Sequence, residues 1–162
     1  MPSADSTVLY RALPLKLRLP SADKRSLKVF AANLAVQVAP GRSFTCLITN
    51  DRALADLNRN FLGHDYSTDV LSFPSGQPGA ELGELAISIE RANAQACEFG
   101  HSLLDELRIL MLHGLLHLTG LDHESDHGAM ARIERQWQDV FDLPATLIAR
   151  SPGKQHRTKA AV

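Results

Sequence analysis

Long apolar runs are missing from this chain. No stretch of its 162 residues stays apolar over the ~20 positions that a membrane-spanning helix needs, so no membrane role is expected. Cysteines are scarce as well. Cys46 and Cys97 lie far apart, in an apparent strand and an apparent helix, and neither sits in a metal-type spacing. That excludes a disulfide-built scaffold and predicts two reduced core thiols in a cytoplasmic protein. The N-terminus lacks the charged, apolar and small-residue layout of a signal peptide. There is no internal repeat and no low-complexity tract. What remains is an ordinary apolar content in a chain long enough for one domain with a real core.

Charge is nearly balanced at −1 but unevenly spread. Residues 1–28 hold six Lys/Arg against two acids. Residues 150–162 hold Arg150, Lys154, Arg157 and Lys159 and no acid. The stretch between is left with seven basic and sixteen acidic residues, nine charges negative. Basic ends on an acidic body suit a polyanionic partner. Residues 1–149 are expected to form a single domain, and 150–162 a basic, disordered tail.

Periodicity outlines the domain. Val8 to Leu19 reads as a strand interrupted by Pro14. Ser21 is placed to cap a helix carrying Leu27, Phe30, Ala31, Leu34 and Val38, which Pro40-Gly41 ends. Ser43 to Thr49 alternates as a strand with Phe44, Cys46 and Ile48 on one face. Asn50 caps a helix with Leu54, Leu57 and Phe61 on its apolar side, closed by Gly63. Val70–Phe73 and Leu82–Ile89 flank a Pro/Gly/Ser loop and should pair antiparallel. Helices follow over about 90–99, 103–119 and 124–141. The last has Met130, Ile133, Trp137, Val140 and Phe141 at core spacing. The order predicts an α+β fold: one layered domain, a small mixed sheet packed by helices, and a central metal-binding helix.

That helix carries the sharpest signal, His113-Gly114-Leu115-Leu116-His117-Leu118-Thr119-Gly120-Leu121-Asp122-His123. His113 and His117 are four apart and share a helix face. Gly120 can end the helix in the left-handed region and bring His123 round to the other two. Three neutral imidazoles with a fourth position left for water make a catalytic-type zinc site. From Ile109 to Leu118 every other residue except Gly114 is apolar, so the helix should be buried nearly all round. An imidazole buried there without a partner costs about a few kcal/mol, and a metal ion would supply one. The spacing matches the long zinc-protease signature H-E-x-x-H-x-x-G-x-x-H with one loss. The peptidase's Glu, its general base, is here Gly114, which can neither take nor give a proton. The run therefore offers a hydrolase's metal cage without the group that defines a peptidase.

A second cluster sharpens the reading. Asn58, then Thr68-Asp69-Val70-Leu71-Ser72-Phe73-Pro74, then Leu82-Gly83-Glu84 with Ile87-Ser88, precede the histidines in that order. By itself the polar Thr68-Asp69 pair also fits a plain turn or strand cap. With the histidine run, the chain resembles the bacterial YbeY family of rRNA maturation factors over roughly residues 45–140. The resemblance implies a zinc-dependent, single-strand-specific endoribonuclease. It would act in 16S rRNA 3′-end maturation, ribosome quality control and general RNA metabolism. Its partners would be single-stranded RNA and the small ribosomal subunit. One Zn²⁺ per chain would be held by His113, His117 and His123. The chain departs from the family pattern at Phe61-Leu62, where an aromatic–Arg pair is usual, and at Ser67, where Pro is usual. The missing arginine is the one thought to face the substrate phosphate. Arg59, about one helical turn earlier, is the candidate replacement, with Thr68 as a second substrate-binding candidate.

Zinc lowers the pKa of bound water and polarises a phosphoryl oxygen, and both suit phosphodiester cleavage. Proton transfer would fall to Asp122, Glu124 or Asp69. Orienting an imidazole is an equally good role for Asp122. An RNA 2′-OH is an alternative nucleophile. Two rival functions remain at this stage: a metallopeptidase, disfavoured by Gly114, and a non-catalytic ribosome-binding factor with structural zinc.

Overall fold

The computed structural model describes residues 5–64, 68–121, 128–144 and 159–160. The elements in chain order are β1 (Thr7–Tyr10), α1 (Ser21–Val38), β2 (Ser43–Thr49), α2 (Asp51–Leu62), β3 (Val70–Pro74), β4 (Glu81–Ser88), α3 (Ile89–Phe99), α4 (Leu103–Leu118) and α5 (Ala129–Phe141). A two-residue strand, β5 (Lys159–Ala160), runs parallel to β3, and the rest of residues 150–162 lies outside the described residues. The α+β reading with a small mixed sheet holds. The strands lie in the order β1-β2-β4-β3. β1, β2 and β4 are parallel, and β3 returns antiparallel to β4.

Side-chain alternation gives the sheet two unlike faces. Cys46 stands beside Leu85, and Ile87 beside Val70, so Phe44, Cys46, Ile48, Leu85, Ile87 and Val70 share one face. That face joins the interiors of α1 and α4 in the main core. α1 contributes Leu27, Ala31 and Leu34, all fully buried. The opposite face carries Leu9, Leu47, Leu71, Phe73 and Ala86 and packs against α2 through Leu54 and Leu57.

Local chemistry explains most boundaries. Asn50 Oδ1 accepts from Ala53 N at 2.8 Å to start α2, and Gly63 ends it at φ 69°. α2 and α3 begin side by side at the ends of β2 and β4, and their first turns exchange bonds. Asp51 N donates to Glu90 Oε1 at 2.8 Å, while Asp51 Oδ1 accepts from Ser88 Oγ at 3.2 Å and Arg91 Nε at 3.1 Å. Gly83 is fixed by close approach. At φ +146°, a Cβ there would lie 2.2 Å from the Phe73 carbonyl oxygen of the neighbouring strand.

Four expectations change. The strand expected over 8–19 stops at Tyr10, because Ala12 turns the backbone to φ 53° and residues 15–17 form a 3₁₀ turn. Pro20, not Ser21, caps α1, and no side chain bonds its first turn. Phe61 is 67% exposed and Val140 55%, because each sits at the edge of its helix's buried stripe. Cys97 is exposed on α3, and only Cys46 is a core thiol.

Candidate functional site

α4 is the spine of the site. Ser102 Oγ accepts from Asp105 N to cap it, and Asp105 and Glu106 place acids in its first turn. It packs against α1, α3, α5, β3 and β4. As expected, every residue from Ile109 to Leu118 is buried. The helix ends at Thr119, and Gly120 follows at φ 102°, with its N–H donating to the His117 carbonyl at 3.0 Å.

His113 and His117 lie on one face with ring centroids 4.9 Å apart and planes at 76°. They are 1% and 5% exposed. His113 Nδ1 is 3.0 Å from Glu134 Oε2 on α5. An ionised carboxylate only accepts, so the ring donates through Nδ1–H, and a neutral imidazole then carries its lone pair on Nε2. A carboxylate behind an imidazole is the usual arrangement behind a metal-ligating histidine. The donor set therefore fits zinc as far as it is described. His123, Asp122 and Glu124 lie outside the described residues. Among the described residues no group of three or more His, Cys, Asp or Glu is arranged to hold a metal ion.

Gly114 has a positive reason to be glycine. A Cβ there would meet Leu85 Cδ2 at 2.8 Å and Val70 Cγ2 at 3.2 Å. The helix lies so close to the sheet that the position of a peptidase's base is filled by strand side chains. Ser72 Oγ donates to the Gly114 carbonyl at 3.1 Å, tying the Thr-Asp-Val-Leu-Ser-Phe-Pro strand to the histidine helix.

Thr68 and Asp69 are buried where β3 begins. Asp69 Oδ1 accepts from Val70 N at 2.8 Å, its Oδ2 from Gln95 Nε2 at 3.1 Å, and its carbonyl from Ser88 N at 2.9 Å. Asp69 thus joins β3 to β4 and α3. Arg59 is half-exposed and bridges Asp56 at 2.6 Å on its own helix. Leu62 is part of the small cluster between α2 and the sheet.

Sequence reasoning missed Glu134 and Ser72. Glu134 carried a visible signal: an acid one turn after Met130 at core spacing, and both are fully buried. Ser72 stood within the Thr68–Pro74 run, but its bond to Gly114 left no local signal, because it spans 42 positions.

Known proteins supply the rest. The family model described as Endoribonuclease YbeY matches residues 18–142. A Solibacter usitatus protein named Endoribonuclease YbeY is 52% identical over 145 residues, covering 90% of this chain and 94% of that one. One of the same name from Koribacter versatilis is 43% identical over 137 residues, covering 85% and 90%. A solution structure from Thermotoga maritima shares the fold at TM-score 0.57 and 23% identity, covering 91% of this chain and 99% of that one. By its sequence over most of its length, and by the fold described above, this chain belongs to the YbeY endoribonuclease family.

Proposed function

We propose that this chain is a zinc-dependent, single-strand-specific endoribonuclease of the cytoplasm that acts on the small ribosomal subunit, in 16S rRNA 3′-end maturation and ribosome quality control. The observation that carries the metal reading is the contact of Glu134 on α5 with His113 on the buried helix α4, where His117 lies one turn on. His113, His117 and His123 would hold one Zn²⁺. When bound, it would supply a Lewis acid for a phosphoryl oxygen and a water of lowered pKa.

The chain's own residues have separable tasks. Glu134 holds the His113 ring in one orientation. Ser72 and Gly114 lock the helix to β3. Asp69 orders the start of β3 beside that helix. Thr68 and Arg59 are assigned to substrate contact, Arg59 in place of the arginine absent at Leu62. Asp122 and Glu124 flank the third histidine and are assigned to proton transfer. The peptidase alternative loses ground because Leu85 and Val70 occupy the space a side chain at position 114 would need.

The test is cleavage of single-stranded RNA by zinc-loaded protein beside a His117→Ala variant from the same preparation. The expected result is cleavage by the wild type alone and little zinc in the variant by elemental analysis. Full zinc with no cleavage by the wild type would return the protein to a ribosome-binding role. Chelator-sensitive casein hydrolysis would make it a peptidase.

A further inference from the structure

Among the described residues the cations fall into those with an ion pair and those without, and the second group also includes Arg11, Arg42, Arg52, Arg132 and Arg135. Arg91 and Arg108 are paired with Asp51 and Asp105, and Arg59 with Asp56. Lys16, Arg18, Lys24, Arg25 and Lys28 are all exposed, and none forms an ion pair with another described residue. They occupy one continuous stretch: the 3₁₀ turn Leu15–Leu17 and the first two turns of α1. Asp23 is the only acid among residues 11–28. Lys24 and Lys28 are four apart, so they repel on one helix face and mildly oppose the helix. A field of this kind attracts polyanions.

We propose that this surface docks the phosphate backbone of single-stranded RNA outside the histidine cleft. The proposal rests on the ribonuclease reading. Two observations place the surface relative to the site. Leu27, Ala31 and Leu34 fix the opposite side of α1 in the core, so the basic side faces outward. Arg108 Nη2 on α4 donates to Ser26 Oγ on α1 at 2.6 Å, within the basic stretch. Arg108 and His113 are five residues apart on the same helix, about 8 Å of rise and about 140° of turn, and His117 is about 14 Å along on the side opposite Arg108, so the basic surface and the histidines lie on different sides of α4. Engaging both regions therefore takes an RNA long enough to pass round α4, which a short oligonucleotide is not. Lys24 is further steadied by the Tyr10 ring, 4.8 Å from its Nζ, which holds its charge against the body of the protein.

The test compares the wild type with a variant carrying Lys16→Gln, Arg18→Gln, Lys24→Gln, Arg25→Gln and Lys28→Gln. Binding of a fluorescent 2′-O-methyl oligouridylate is measured across a salt series. Single-strand binding falls with a log–log slope of about −0.7 per neutralised phosphate, so the variant should lose about 0.7 of slope for each contact removed. Its KM for a long RNA should rise, while cleavage of a short oligonucleotide stays at the wild-type rate. If the variant misfolds, Lys16→Gln with Arg18→Gln, outside the helix, gives the same reading at smaller size. An unchanged slope in a folded variant overturns the proposal and leaves this face to solvent or an acidic polypeptide. If the wild type fails to cut RNA but the slope still flattens in the variant, the docking surface stands and the catalytic reading falls.

Discussion

On one face of the sheet, Phe44, Cys46, Ile48, Leu85 and Ile87 are at most 1% exposed, in one core with α1 and α4. On the other, Leu9 is 48% exposed and Leu47 and Phe73 are half-buried, with α2 as the covering helix. A groove of about 450 Å³ remains there, walled by Leu9, Leu47, Leu57, Phe61 and Phe73. The histidines belong to the packed side, and the difference is physical. A close-packed interior transmits strain and resists small shifts, so it can hold two imidazoles and a carboxylate in fixed register. A half-covered face can absorb changes of side-chain volume.

The hardest test of that contrast is Gly114→Glu. The new side chain would overlap Leu85 and Val70 and bury a carboxylate, so a loss of more than about 4 kcal/mol is expected. Urea unfolding measures it. A variant that unfolds cooperatively at the wild-type midpoint would mean the packed face yields after all.

Next comes a matched pair on the two faces. Leu85→Ala should cost about 2–5 kcal/mol, and Leu47→Ala under about 1 kcal/mol. Equal losses would erase the distinction between the faces.

A smaller effect is expected from Glu134→Ala. Removing the carboxylate behind His113 should reduce zinc affinity and RNA cleavage about 10–100-fold. Unchanged zinc affinity would reduce Glu134 to a packing residue.

The mildest contrast is chemical. Cys97 on the surface should react with a thiol reagent in the native protein, and Cys46 only on unfolding. Burial pushes the Cys46 thiol from about 9 up to about 12. The folded thiol stays protonated where the unfolded one has ionised. Its share of stability is therefore complete below about pH 9 and drains away as pH rises toward 12. Cys46→Ala should flatten that alkaline decline, and an equally steep decline in the variant would place its source elsewhere.

Much of this was readable from local pattern. The apolar run around His113 and His117 predicted a buried helix, and Asn50 and Gly63 marked both ends of α2 because capping is chemistry within one turn. The two strands around the Pro/Gly/Ser loop announced their antiparallel pairing. What escaped was non-local. The Glu134–His113 pair spans 21 positions, and the reason for glycine at 114 lies on β3 and β4. Phe61 looked like core because its spacing fits a stripe, but spacing does not say how wide a face the sheet offers, and α2 buries only Leu54 and Asn58 completely.

The bonds exchanged between the first turns of α2 and α3 have a dynamic consequence. Asp51 serves Ser88 and Arg91 across 37 and 40 positions, and Glu90 returns a bond to Asp51. Neither helix can fray at its start without stripping partners from the other. Their leading amides should exchange with deuterium as one cooperative unit that also carries the ends of β2 and β4. The slowest local opening in this half of the molecule should therefore have a single free energy shared by two helices that are distant in sequence.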